Sequence, residues 1–278
     1  MRYLYMEQPI ENQVGMPALG ETPEEQAGCY VYCVVRPKGE FSLGVTGIQG
    51  QPVDTVVRDG LSAVVHLCPP RPYQSDDPEM VAALVMAHHQ VVEAAWRRYG
   101  AVLPLRFNTI IKADGQRTAS ENLAMWLETG SGWLKAKLGQ FDGKAEYGIQ
   151  VLRDTEHLSH QVAQSSLVVK RLEEEIAGKP RGAAYMHRQK LEAMLRRGIE
   201  TRVAEEYQAC YAGISRWAEG IQVEKLKPST GCLQMAVNLS CLVSAERYPG
   251  LAEELGRIGA TEGFSIRLVG PMPPYSFC

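Results

Sequence analysis

Histidines, an arginine and a buried-looking glutamate are the side chains of this sequence that could do chemistry. His157 and His160 stand three apart beside Glu156 near a helix start. Two imidazoles on one helical face can begin a metal site, but no third ligand follows at a set distance. His88 and His89 lie inside a helical pattern with no acidic or cysteine partner at ligand spacing, so the favoured reading of His88 is a structural histidine satisfied by a neighbouring strand. Arg106 interrupts an apolar segment. A guanidinium there calls for a buried carboxylate such as Glu146, a chain terminus or an anion, with a structural pair preferred. The chain has no Gly-x-x-x-x-Gly-Lys-Ser/Thr, Gly-x-Ser-x-Gly or His-Glu-x-x-His motif and no EF-hand loop. Gly44, Gly47 and Gly50 lack both the spacing and the following helix of a dinucleotide loop. No catalytic constellation, metal or cofactor is called for.

The elements that would hold these groups can be read from periodicity. Residues 1–26 carry Pro9, Gly15, Pro17, Gly20 and Pro23 without a regular period and read as a flexible extension. A β-rich run, 29–35, is followed by a short strand near 53–58, an Asp59-Gly60 turn and a strand over 61–67. A helix then starts at Asp76 or Asp77 before Pro78 and ends at Gly100, with Val81, Leu84, Val85, His88, Val91, Val92, Ala95 and Trp96 on one core-facing stripe. This defines an N-terminal α+β domain over 27–100.

The remainder, 101–278, reads as a second domain. A strand across 101–111, a helix from Ser120 that Gly130-Ser131-Gly132 threatens to break, and a strand over 145–152 give β-α-β. A helical hairpin over about 156–220 follows, with its bend at Pro180. Strand 233–243, a helix over 245–258 and strand 264–269 repeat β-α-β. Two such halves make a ferredoxin-like arrangement with the helical hairpin inserted, so the fold class is α+β.

Composition removes several functions. A net charge of −3 from 29 Lys+Arg against 32 Asp+Glu leaves no basic field for nucleic acid. The longest apolar run, 80–87, is far short of the roughly 20 residues of a membrane span, and the first residues lack a signal-peptide core. A cytoplasmic chain is expected. Seven scattered cysteines without Cys-x-x-Cys suit reduced thiols, and Cys278 is the one expected to oxidise.

Four tracts occur in order: Leu103-Pro104-Leu105-Arg106-Phe107-Asn108-Thr109; residues 184–191; Val237-Asn238-Leu239-Ser240-Cys241-Leu242-Val243; and the ending Gly270-Pro271-x-Pro273-Pro274-Tyr275-x-Phe277. Together they resemble the gas vesicle protein F/L family (GvpF/GvpL) over roughly residues 29–278, with Asn108 standing where the family usually has Gly. The resemblance implies a non-enzymatic accessory or minor structural protein, located at gas vesicles. It would bind the small hydrophobic main shell protein during nucleation and assembly, limit its aggregation, and meet other gas vesicle accessory proteins. It also implies two α+β domains, the second a modified ferredoxin-like one.

Within that reading the N-terminal unit supplies the partner surface, with Tyr30, Tyr32 and Trp96 as its residues. Three prolines stiffen the C-terminal tail, and its aromatic side, Tyr275 and Phe277, is expected to seal the core of the second domain. The alternative is a small-molecule-binding regulatory or enzymatic ferredoxin-like protein, with Arg106, His88 and Glu146 lining a cleft.

Overall fold

The computed structural model describes residues 27–39, 43–178, 181–228 and 231–278. The expected extension over 1–26 and the bend at Pro180 lie outside the described residues. Two antiparallel sheets organise the rest. The first holds β1 (Gly28–Val35), β2 (Asp54–Arg58), β3 (Leu61–Cys68), β4 (Val102–Pro104) and β5 (Ile110–Lys112) in the order β2-β3-β1-β4, with β5 also paired to β1. The second holds β6 (Lys144–Asp154), β7 (Gly220–Val223), β8 (Leu233–Ser244) and β9 (Phe264–Met272) in the order β7-β8-β6-β9.

Every residue of β1 is buried, because helices cover both faces of its sheet. A bulge between Val31 and Cys33 shifts the register against β3 and resets which side chains face which way. Cys29, Val31 and Val34 enter one core, whereas Tyr30, Tyr32, Cys33 and Val35 enter the other. The second of these cores is closed by α1 (Pro78–Tyr99). Its start is fixed by Pro78 and by Asp77, whose carboxylate accepts the Glu79 N–H at 2.9 Å, and its end by Gly100 at φ 83°. The other core is closed by α2 (Ala119–Thr129) and α3 (Ser131–Phe141) through Leu123, Leu127, Leu134, Leu138 and Phe141. A capping box between Thr118 and Glu121 starts α2, and Gly130 separates the two helices, as the sequence suggested. Asp59 and Gly60, both at positive φ, make the tight β2–β3 turn.

The strand read across 101–111 as the start of the second unit needs correction. It breaks into β4 and β5, which run in the same direction along one edge of β1 in the first sheet, with residues 105–109 looping out between them. The physical reason is Asn108, whose φ of 67° no continuous strand can hold. The second sheet gains in exchange β7, a four-residue edge strand too short to show a period.

On that second sheet, Ile149, Val151, Val237, Leu239 and Cys241 face α7 (Tyr248–Gly259) and the end of α6 (Arg181–Ser215). The helical segment after β6 has two pieces before α6, namely α4 (Thr155–Ser165) and α5 (Leu167–Ala177). Ser166 divides them by accepting the Val169 N–H.

Arg153 fixes these helices to the sheet. Its guanidinium is nearly fully buried and donates to Glu206 Oε2 on α6 at 3.1 Å, Gln161 Oε1 on α4 at 2.7 Å and the Glu262 carbonyl at 3.2 Å, while lying over the Phe264 ring. Arg153→Ala removes all three of these bonds and leaves Glu206 only its contact with the more exposed Arg202, which is expected to cost about 2–3 kcal/mol. Urea denaturation measures it, and a loss below about 1 kcal/mol would contradict the clamp.

Candidate functional site

The 103–109 tract staples the loop between β4 and β5 to a buried polar cluster. Leu103 sits in the core under α2 and α3, and Pro104 pairs with Cys33. The Leu105 N–H donates to the Tyr32 carbonyl at 2.9 Å, and the Leu105 carbonyl accepts from His88 Nε2 at 3.1 Å. Phe107 packs edge-on to Tyr30 and His88. Asn108 donates its N–H to the Tyr30 hydroxyl and exchanges two hydrogen bonds with the Tyr73 backbone. The left-handed conformation there is one that Asn tolerates better than most residues and Gly best of all.

The cluster has a defined polarity at His88. The Leu105 carbonyl can only accept, so neutral His88 carries its proton on Nε2 and its Nδ1 accepts from the Tyr30 hydroxyl at 2.9 Å, while Tyr30 Oη accepts the Asn108 N–H. His66 sits between two hydroxyls, with Nδ1 2.8 Å from Tyr32 Oη and Nε2 2.9 Å from Tyr73 Oη, and Tyr32 Oη also accepts the Ile48 N–H at 2.9 Å. Burial pushes each imidazole down to about 4, the His88 shift partly offset by its bond to Leu105. The structural reading of His88 holds.

The tail departs from its expected role. Gly270 has φ 124°, and a Cβ there would meet the Glu146 carbonyl at 2.7 Å, so only glycine lets the chain pass β6 this closely. Pro273 and Pro274 are buried. Tyr275 then packs on the α1-side core and bonds His89 Nδ1 at 2.9 Å, whereas Phe277 packs on the opposite core under α2 and α3. A single 3-10 turn at Tyr275–Phe277 sends the two rings to different places. The tail thus seals both cores of the first sheet rather than that of the second.

Glu146, only 3% exposed, is the group that anchors it. The carboxylate accepts the Ser276 N–H at 2.8 Å and the Ser276 hydroxyl at 2.6 Å. Lys137 Nζ donates to the Phe277 carbonyl at 2.8 Å. Cys278 is exposed as a residue, yet its thiol turns inward to the Pro274 carbonyl and burial pushes it up to about 12, which removes the reactivity expected of it.

Three expected assignments change. Arg106 is exposed, and Glu146 is held by Ser276 instead. With Glu146 bonded to the tail and His88 to Tyr30 and Leu105, the proposed cleft of Arg106, His88 and Glu146 does not form through these groups. Tyr30 and Tyr32 are 0% exposed and present no surface. His157 lies 3.8 Å from Glu262, and among the described residues no group of three or more His, Cys, Asp or Glu is placed to hold a metal.

Trp96, in contrast, is at a surface junction. It lines a groove of about 380 Å³ together with Tyr147, Val243, Ala245 and Pro271, where the end of α1 meets the second sheet and the tail. Arg97, ion-paired to Glu93, and Lys144, ion-paired to Glu219, stand at its rim. The other end of α1 is unexpectedly open. Met80 is 49% exposed, Val85 41% and Met86 53%, and Val81 is exposed as well, so the longest apolar run of the chain lies mostly at the surface. The helical pattern placed Val81 and Val85 in the core, but the sheet beneath α1 supports only the part from Leu84 onward. Sequence reasoning could not find the groove, because its walls come from residues some 170 positions apart.

Comparison with known proteins gives this geometry its context. Residues 28–278 match the family model described as gas vesicle synthesis protein GvpL/GvpF. The chain is 28% identical over 258 residues to gas vesicle protein L1 of Halobacterium salinarum, covering 90% of each, and 29% identical over 264 residues to gas vesicle protein L2 of the same organism, covering 90% of this chain and 91% of that one. Its fold resembles the crystal structure of the gas vesicle protein GvpF from Anabaena sp. PCC7120, with a TM-score of 0.66, 16% identity, and coverage of 90% of this chain and 95% of that one. The chain belongs to the GvpL/GvpF family of gas vesicle synthesis proteins.

Proposed function

We propose that this protein binds the hydrophobic main shell protein of gas vesicles during nucleation and assembly, covering its apolar surface until it is built into the wall. The observation that carries this reading is the outer side of α1. Val81, Ala82, Val85 and Met86 form an exposed apolar patch on its first turns, and Trp96 lies on the same side roughly 22 Å from Val81, beyond His89 and Glu93, where the groove opens. Soluble proteins rarely leave such a patch uncovered without a partner for it. An amphipathic helix of about 15 residues laid alongside reaches from this patch to the groove, which takes one large side chain as its anchor.

In the same reading the protein works in the cytoplasm at gas vesicles, with other gas vesicle accessory proteins as further partners, and α4 to α6 form the arm that meets them. The second sheet, with α4 to α6 in place of one crossover helix, reads as a modified ferredoxin-like unit. Its support is the all-antiparallel strand order β7-β8-β6-β9, the sequence 2-3-1-4 of a split βαβ fold. We place the change between units at residues 142–143, between α3 and β6.

A fragment of residues 27–100 is unsuitable as a test, since it lacks β4, β5, α2 and α3. In the full chain, Val85→Glu with Met86→Glu should lower retention of the main shell protein at least tenfold in a pull-down while leaving the thermal midpoint within about 2 °C. Undiminished retention would sink the assignment of α1.

A further inference from the structure

The open edge of β9 offers a second contact, of a different kind. Four strand edges border the two sheets, and three of them are guarded. Edge strand β2 carries Asp54 and Arg58, the latter ion-paired to Glu128. The β4/β5 edge is made of three-residue pieces. Edge strand β7 has four residues and runs on toward Lys225, Lys227 and Pro228. Short length, charge and proline are the usual means of preventing unwanted strand pairing. By comparison, β9 pairs only with β6 and keeps a regular run of six residues, Phe264–Val269, with one charged side chain, Arg267, before the bulge at Gly270 and Pro271 ends its regular pairing. Its residues from Arg267 to Pro271 are exposed, Val269 at 59%.

We propose that β9 receives an extended, uncharged segment of the main shell protein as an added strand. This rests on the function proposed above and deepens it. Two observations choose the occupant. An unpaired strand edge presents alternate backbone N–H and C=O groups, which only another extended backbone satisfies along its length. The edge is also continuous with the α1 groove: Pro271, two residues after Val269, lines that groove beside Tyr147, and Val269 packs over Gly148 on the neighbouring strand. A partner seated on α1 therefore has its chain delivered to the end of β9. Six residues of strand pairing alone bury too little surface for a stable dimer of this chain, so a second copy is the weaker occupant.

Backbone hydrogen exchange on the full chain, with and without the main shell protein, tests this. The complex should protect β9 amides at every second residue, and Val269→Lys, which adds an edge charge, should weaken binding about tenfold with folding intact. Bound shell protein with β9 exchanging as in the free chain overturns the strand contact and leaves the α1 reading standing. Protection of β9 that grows with the concentration of the chain alone overturns it in favour of self-pairing. Absence of any binding removes both.

Discussion

Ending the chain after Pro273 is expected to lower stability by about 5 kcal/mol, a large part of what a domain of this kind possesses. Tyr275 and Phe277 are each half-buried against a core of the first sheet, so each ring contributes about 1.5–2 kcal/mol. Glu146 stays behind when the tail is removed. It is enclosed at the level of a core residue and would lose both of its Ser276 donors, a loss of about 1–3 kcal/mol. Lys137 loses its carbonyl partner as well. Two milder variants separate these parts: Ser276→Ala removes one donor and should cost about 1–2 kcal/mol, and Tyr275→Phe removes only the bond to His89. Urea titrations of the three variants should therefore rank them with the truncation lowest. A truncated chain within about 1 kcal/mol of the full one would show that the tail merely rests on the surface.

That the tail joins elements far apart in sequence explains which parts of the architecture were legible beforehand. Local signals were reliable: Asp77-Pro78 and Gly100 bounded α1, Asp59-Gly60 gave the β2–β3 turn, and Gly130 split α2 from α3. Pairing was not local. Residues 101–111 are largely apolar and β-prone, and Asn108, at positive φ, marks where the chain loops away from the β1 edge before rejoining it. Nothing within the segment names β1, far earlier in the chain, as its pairing partner.

The candidate site shows the same division. Arg106 drew attention as a charge in an apolar run, although its part in the fold lies in its carbonyl, which closes the turn of the β4–β5 loop by accepting from Thr109. Glu146 was the better clue. A carboxylate in an alternating buried strand must have a partner, but nothing in the sequence points to Ser276, 130 residues away. Tyr30 and Tyr32 looked like a sticky surface because aromatic residues serve equally in interfaces and in cores. Both rings lie on one face of β1 by ordinary alternation, and because helices cover both faces of that sheet they are buried beside His66 and His88.

Those two histidines make the fold acid-labile in a defined window. In the unfolded chain an imidazole takes up a proton near pH 6.5, whereas in the fold His66 and His88 resist it until about pH 4. Above pH 6.5 both states are neutral and the full stability is present. As pH falls from 6.5 toward 4 the unfolded chain binds protons that the folded chain cannot, so the folded state loses about 3 kcal/mol per histidine, roughly 6 kcal/mol for the pair. Below pH 4 the difference stops growing. At His88 the hydrogen bonds give the same sign independently, since a proton on its Nδ1 would face the Tyr30 hydroxyl that is donating toward it. Carboxylates held low in the fold, such as Asp114 by the Gln116 and Arg117 N–H groups and Glu254 by Arg257, add their own loss only at lower pH, as they begin to protonate. Denaturation midpoints should consequently fall steeply between pH 6.5 and 4.5, before those groups respond. His88→Gln, whose amide can still donate to the Leu105 carbonyl, should remove about half of that slope. A midpoint unchanged from pH 7 to 4.5 would mean that the cluster opens to solvent and accepts protons without unfolding.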